Sequence, residues 1–304
     1  MPFTRLSSSK LSARCSWKPR THANRRLVFP IRSFLTALPP IKIVDIGAMS
    51  LGEGEDPYSP LLAALPCELI GFEPVEAEFA KLQQTKSPNT RFLPFFIGDG
   101  SIRTFHECNA SMTSSLFEPN TALLEKFQNL EELVRVVRTE QVQTKRLDDI
   151  PEVSGTDFLK VDVQGAEMLV FQGGVNMLKD VLVIHTEVEF VELYKGQCLF
   201  SDVDPFLRGL GFQLHKLTQA GRAIKPLIVN GDVNAPMSQL LWGDAIYVRN
   251  FMAFSELEPP ALLKLAAILH ENYHSFDLAA LALEAHDQRL GTQLQPAYIE
   301  RLTS

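Results

Sequence analysis

The sequence contains no uninterrupted run of about 18 apolar residues, the minimum for a transmembrane helix, so a spanning helix is excluded. Cysteine is scarce: Cys15, Cys67, Cys108 and Cys198 are scattered, and none belongs to a C-x-x-C pair. That spacing excludes a disulfide scaffold and a four-cysteine zinc site, and it suits a reducing, cytoplasmic compartment. Acidic residues are missing from the first 44 positions, which hold nine of the 29 Lys and Arg. All 36 Asp and Glu therefore face only 20 basic residues in the rest of the chain, a balance of −16. An acidic body is a poor match for nucleic-acid phosphates, so no nucleic-acid partner is expected. The Arg- and Ser-rich leader, residues 1–38, lacks the apolar core of a secretory signal. Its composition also fits an organelle transit peptide or a disordered arm, and it is placed outside the fold.

What is present is an ordinary globular composition, 45% apolar and 21% charged over 304 residues. After Pro39-Pro40, short β-branched runs alternate with helical periodicity. Strands are expected at 41–47, 67–73, 90–97, 157–163 and 181–185, with two more at 212–217 and 245–249. Helices are expected at 75–86, 166–178 and 203–210, and residues 110–135 read as irregular and then helical. This alternation predicts right-handed βαβ units and a mostly parallel sheet in an α/β domain spanning 39–252. From residue 253 the pattern becomes a Leu- and Ala-rich helical appendage ending at 304. Its stripes at 260–290 fit either extra core or a surface for a homodimer or partner.

In such a sheet, ligands sit beyond the carboxyl ends of the strands, at the switch point. The first strand ends Asp45-Ile46-Gly47-Ala48 and continues through a loop holding Gly52, Glu53, Gly54, Glu55 and Asp56; the second ends at Glu73. A glycine loop followed by an acid after the next strand marks a nucleoside-bearing cofactor. The loop lacks G-x-G-x-x-G, and its three acids would repel a pyrophosphate by about 1–4 kcal/mol per close pair. A sulfonium-bearing nucleoside tolerates those acids, which points to S-adenosylmethionine rather than a dinucleotide.

The segment Asp157-Phe158-Leu159-Lys160-Val161-Asp162-Val163-Gln164-Gly165-Ala166-Glu167, followed by Gly173-Gly174, resembles the signature of the FkbM family of methyltransferases. The likeness extends to Val44–Ala48, Gly71–Pro74, Lys145–Asp149 and His185–Phe190, about residues 41–250 in all. It implies a class I, Rossmann-like methyltransferase: a seven-stranded, mostly parallel sheet with its last strand antiparallel. The implied reaction moves a methyl group from S-adenosylmethionine to a hydroxyl of a sugar or natural-product-like small molecule. Under that resemblance Asp45, Gly47, Ala48 and Gly52 fall on the loop that cradles the methionine end. Glu73 falls on the ribose acid, Asp99 on the acid near the adenine, and Asp162 on the acid facing methionine and acceptor. Met49 stands where the family usually has Asn, and Gln164 where it usually has Glu, which removes one carboxylate.

A hydroxyl acceptor must lose its proton to a base within about 3 Å. Asp162, Glu187 and His185 are the candidates at the strand ends; His185 and Glu187, two apart, share one face of an extended chain. Ser111–Ser115 offers a hydroxyl-rich wall for an acceptor. N-methylation on the same scaffold, or an inactive fold holding a partner through the C-terminal helices, are the alternative readings. His270-Glu271-Asn272-Tyr273-His274 matches the helical zinc motif H-E-x-x-H, but lacks a third ligand at the usual spacing and lies at the edge of an apolar stripe. No metal site is assigned.

Overall fold

The computed structural model describes residues 29–49, 54, 56–85 and 87–304. Gly52, its neighbours Ser50, Leu51, Glu53 and Glu55, and leader residues 1–28 lie outside the described residues.

The β-branched run after the double proline forms β1 (Ile41–Ile46). A short α1 (Ser59–Ala64) leads to β2 (Cys67–Phe72), α2 (Glu76–Thr85) and β3 (Thr90–Leu93). Next come β4 (Ile102–Cys108), α3 (Thr121–Leu124), α4 (Leu130–Leu133) and β5 (Val136–Gln143). The chain returns through β6 (Phe158–Val161), α5 (Glu167–Gly173), β7 (Val183–Glu189), α6 (Phe200–Gly209), β8 (Phe212–Leu217) and β9 (Trp242–Arg249). It closes with α7 (Pro259–Tyr273), α8 (Phe276–Leu290) and α9 (Leu294–Thr303).

Seven strands form one sheet in the order β3-β2-β1-β6-β7-β9-β8. The first five in that order are parallel, and β9 runs antiparallel to both β7 and β8. This is the α/β, Rossmann-like sheet with a reversed last strand that the sequence predicts. The strand order turns back between β1 and β6, which places the switch point at their carboxyl ends.

Alternation along each strand divides the core. Ile41, Ile43, Phe158, Val183, Ile246 and Val248 face one side, where Leu262, Leu265, Ala266, Leu269 and Leu283 cover them. Val44, Ile46, Leu159, Val161, Ile184 and Tyr247 face the other, under Val170 and Phe171 of α5 and Leu207 of α6. Among the described residues between β1 and β2, the one helix, α1, is only six residues long. That first face is closed by α7 and α8, so the apolar stripe at 260–290 is spent on the protein's own core. Ile31 and Leu35, within the stretch that composition alone assigns to the leader, are buried in the same cluster.

Two further features differ from the sequence reading. Residues 102–143 carry an antiparallel ribbon, β4 with β5, outside the main sheet. Its strands are mostly half-exposed or exposed and rich in polar residues, so no apolar run announces them. The zinc-like motif instead fastens the segment at 29–31 to α7. His270 Nδ1 meets the Tyr298 hydroxyl at 2.8 Å and its Nε2 donates to the Phe29 carbonyl at 2.8 Å. Glu271 accepts from the Ile31 N–H at 2.6 Å, and His274 ends α7 with φ +50°. Among the described residues, no helix is long and apolar enough to cross a membrane.

Candidate active site

At the switch point the turn after β1 crosses directly over the start of the loop after β6. Gly47 has φ +80°, and a Cβ there would lie 2.0 Å from the Asp162 carbonyl oxygen, so only glycine fits. Gly47 and Ala48 both donate their N–H to the Phe72 carbonyl, at 3.1 and 3.0 Å, tying this turn to the end of β2. The result is an open cleft at the carboxyl ends of the strands. Gly47, Glu73, Asp162 and Gln164 line it together with Phe95, Phe96, Ile97 and the Ser111–Leu116 segment.

The two acids at the ends of β1 and β2 have different surroundings. Asp45 is buried; it accepts from the Tyr58 hydroxyl at 2.7 Å and pairs with the Lys160 ammonium at 2.9 Å. Lys160, equally buried, also donates to the Gly47 carbonyl at 2.9 Å and lies 4.0 Å from Asp162. Asp45 therefore holds the turn from behind and does not line the cleft. Glu73 is buried at the cleft wall, and its side chain accepts from the Val75 N–H at 2.7 Å. Burial pushes its carboxyl up to about 7; the nearby acids Glu78 and Asp45 add to this, while the Val75 N–H and Lys160 oppose it.

Asp99 is placed elsewhere. It accepts from the Ser101 N–H and hydroxyl at 3.0 and 2.6 Å and pairs with Arg103 at 2.6 Å, anchoring the turn into β4. Burial acts upward on this carboxyl, but the Ser101 and Arg103 hydrogen bonds win and hold it down to about 2. Both of its oxygens are engaged in the turn, and it is not among the residues lining the cleft.

On the side of β6 and β7, one amide joins two acids. Gln164 Nε2 donates to Asp162 at 2.8 Å and to Glu187 at 2.7 Å. Its Oε1 lies 3.2 Å from the Tyr194 hydroxyl, which donates to the Thr113 carbonyl at 2.8 Å, and its carbonyl accepts from the Ser115 hydroxyl at 2.6 Å. Asp162 thus lines the cleft, with Glu187 one hydrogen bond behind Gln164. His185 sits deeper, its Nδ1 3.2 Å from the Tyr273 hydroxyl of α7 and its Nε2 3.7 Å from Asp244. The structure gathers Gly47, Glu73 and Asp162 at one cleft, brings Glu187 to it through Gln164, and leaves Asp45, Asp99 and His185 outside. Lys160, Tyr58 and Tyr194 received no role from the sequence. Lys160 carried a signal, since a lysine inside a buried parallel strand needs a partner.

The donor set fits S-adenosylmethionine. A largely apolar cleft with a wall carboxylate and a second carboxylate at the opposite strand end suits a nucleoside bearing positive charge, and among the described residues no cationic side chain lines it for a phosphate. A reversed last strand, a glycine turn after β1 and an acid after β2 define a class I methyltransferase. A family model described as the methyltransferase FkbM domain matches residues 45–214, more than half of the chain. The chain belongs to the FkbM family of methyltransferases.

One relative is the 2-O-methyltransferase NoeI of Sinorhizobium fredii (strain NBRC 101917 / NGR234), 31% identical over 163 residues. The match covers 51% of this chain and 66% of that protein, just under two thirds of its length. Among solved structures, the chain is similar to magnesium protoporphyrin IX methyltransferase (ChlM) of Synechocystis PCC 6803 with bound S-adenosylmethionine. There the TM-score is 0.37 at 12% identity, over 70% of this chain and 72% of that one. It is also similar to precorrin-6y C5,15-methyltransferase of Geobacter metallireducens GS-15, with TM-score 0.35 at 12% identity over 75% and 92% of the two chains.

Proposed function

We propose that the protein methylates a hydroxyl of a glycan or a natural-product-like small molecule. The observation that carries this reading is the convergence of Gly47, Glu73 and Asp162 on one cleft, with Glu187 held beside it by Gln164. When bound, S-adenosylmethionine supplies an electrophilic methyl group on a sulfonium centre. Glu73 accepts the hydroxyls of the nucleoside sugar, and Phe95, Phe96 and Ile97 give the base an apolar wall. The Gly47 turn, held by Lys160, fixes the approach to the reacting centre, because alignment and exclusion of water supply most of the rate in a displacement of this kind. The acceptor enters beside the hydroxyl-rich 111–115 segment, and Asp162 or Glu187 takes its proton. The kinship with a 2-O-methyltransferase supports a hydroxyl acceptor. Unpaired Cys67, Cys108 and Cys198 support a cytoplasmic setting.

The test is calorimetric titration with S-adenosylmethionine and with NAD, followed by incubation with a panel of methyl glycosides and of primary amines. Micromolar binding of the methyl donor alone and a one-methyl mass gain on a glycoside are expected. Folded protein that binds no donor would overturn the site, and transfer confined to amines would overturn the hydroxyl acceptor.

A further inference from the structure

The acceptor side of the cleft crowds carboxyl groups. Asp162 and Glu187 approach a single amide nitrogen, at 2.8 and 2.7 Å. Glu167 at the start of α5 and Glu189 at the end of β7 are both buried close behind them. Asp244 stands opposite Glu187 on β9, and His185 precedes it by two residues on the same strand face. Among the described residues, Lys160 faces this group, 4.0 Å from Asp162 and also paired with Asp45 at 2.9 Å. Carboxylates this close share protons unless something compensates each charge. The buried pair does so: burial, with the Asp162 charge added and backbone N–H groups opposing, pushes Glu167 up to about 7, and burial with the Glu167, Glu187 and Asp162 charges pushes Glu189 well above the ordinary range.

We propose that Gln164 is the positioning residue that keeps Asp162 and Glu187 both ionised, so that a charged carboxylate stands beside the acceptor. Its orientation is determined by its partners. Rotating the amide would set its oxygen against both carboxylates, which lie 2.8 and 2.7 Å from the nitrogen. The backbone is clamped as well: Gln164 has φ +57°, Gly165 has φ +93°, and the Ser115 hydroxyl bonds the Gln164 carbonyl at 2.6 Å. Both N–H hydrogens of one fixed amide are therefore spent, one on each acid, and a carboxylate receiving a hydrogen bond is stabilised in its charged form. A Glu at this position would set a third carboxylate against the other two and force a proton onto the group. The proposal rests on reading this side of the cleft as the acceptor side.

Infrared difference spectroscopy of the protonated-carboxyl stretch tests it without any acceptor. Spectra of the full chain are compared with Asp162→Asn and Glu187→Gln, from about pH 5 to 9, to assign the bands. In the wild type neither acid is expected to be protonated at neutral pH. Gln164→Glu is expected to introduce a protonated carboxyl whose midpoint lies at least about one unit higher. Gln164→Met, which removes both donors without adding charge, is expected to raise the midpoint less, and it carries the test alone if Gln164→Glu does not fold. S-adenosylhomocysteine affinity within about threefold of wild type would show that the cleft survives the change, since about 0.6 kcal/mol separates such values. A wild-type protein with either acid protonated at neutral pH, or variants that titrate like wild type, would overturn the proposal. Loss of donor binding in every protein, wild type included, would instead overturn the methyl-transfer reading and leave the infrared result standing.

Discussion

Asp45 and Glu73 follow one another at the ends of neighbouring parallel strands, and both are nearly lost from solvent, at 1% and 5% exposure. Asp45 has a phenol and an ammonium within 2.9 Å, so its charge is consumed inside the protein. Glu73 has one backbone N–H, from Val75, and its carboxyl is pushed up to about 7, first by burial. A buried charge that its surroundings compensate only in part costs free energy, and a fold keeps such a group where a ligand will complete it. The contrast teaches that burial alone does not mark a binding acid; what the other groups around it leave unsatisfied does.

The harshest way to break this contrast is to strip Asp45 of its cation. Lys160→Met would leave a buried carboxylate without its ion pair and would release the Gly47 carbonyl. Removing one member of a buried pair typically costs about 3–5 kcal/mol, and denaturant unfolding at pH 7 should show a loss of that size. A change under about 1 kcal/mol would mean that Asp45 is not held as an ion pair, and the two acids would no longer differ in kind.

Glu73 should behave in the opposite sense. Glu73→Gln removes a buried charge that is compensated only in part, so it should not destabilise the protein at neutral pH. A carboxyl raised in the folded state contributes stability below its unfolded value near 4.5 that is lost as pH rises through about 7. Unfolding measured at pH 8 should therefore show the variant more stable than wild type, by about 1–3 kcal/mol. Donor binding should move the other way. Losing a charged acceptor for two hydroxyls is worth about 1.5–3 kcal/mol, so calorimetry should show affinity about 10- to 100-fold weaker. Wild-type affinity should tighten as pH rises through 7, and Glu73→Gln should lose that dependence.

The sheet was readable because its strands are buried on both faces and so appear as short β-branched runs such as Ile41–Ile46. Glycine and acid at successive strand ends marked where a nucleoside would lie. Three features were not readable, each for a physical reason. The β4–β5 ribbon has no buried face large enough to leave a pattern. The C-terminal helices show an apolar stripe, but a stripe does not say whose core it enters. Lys160 stands in an otherwise apolar strand, where its partner is fixed only by the register that sets it beside Asp45. Gln164 was visible as a departure from a familiar motif, yet its service to two acids depends on a chain reversal between β6 and α5.

Asp99 gives the mildest and most discriminating comparison with Glu73. Both acids follow a strand and both invite a role at the cofactor, but their electrostatics point in opposite directions. Burial leaves Glu73 near neutrality, while hydrogen bonds from Ser101 and Arg103, against the upward push of burial, hold Asp99 to about 2. An acid so thoroughly satisfied by its own turn has little left to offer a ligand. Asp99→Ala should therefore change donor affinity less than about twofold, since it touches nothing in the cleft. It should cost only about 1 kcal/mol of stability, because its ion pair with Arg103 is partly open to solvent. Raising pH from 2 to 5 restores the Asp99 charge and should recover that small increment in wild type but not in the variant. A tenfold loss of donor binding in Asp99→Ala would place this acid at the adenine after all, and would show that the turn opens to receive it.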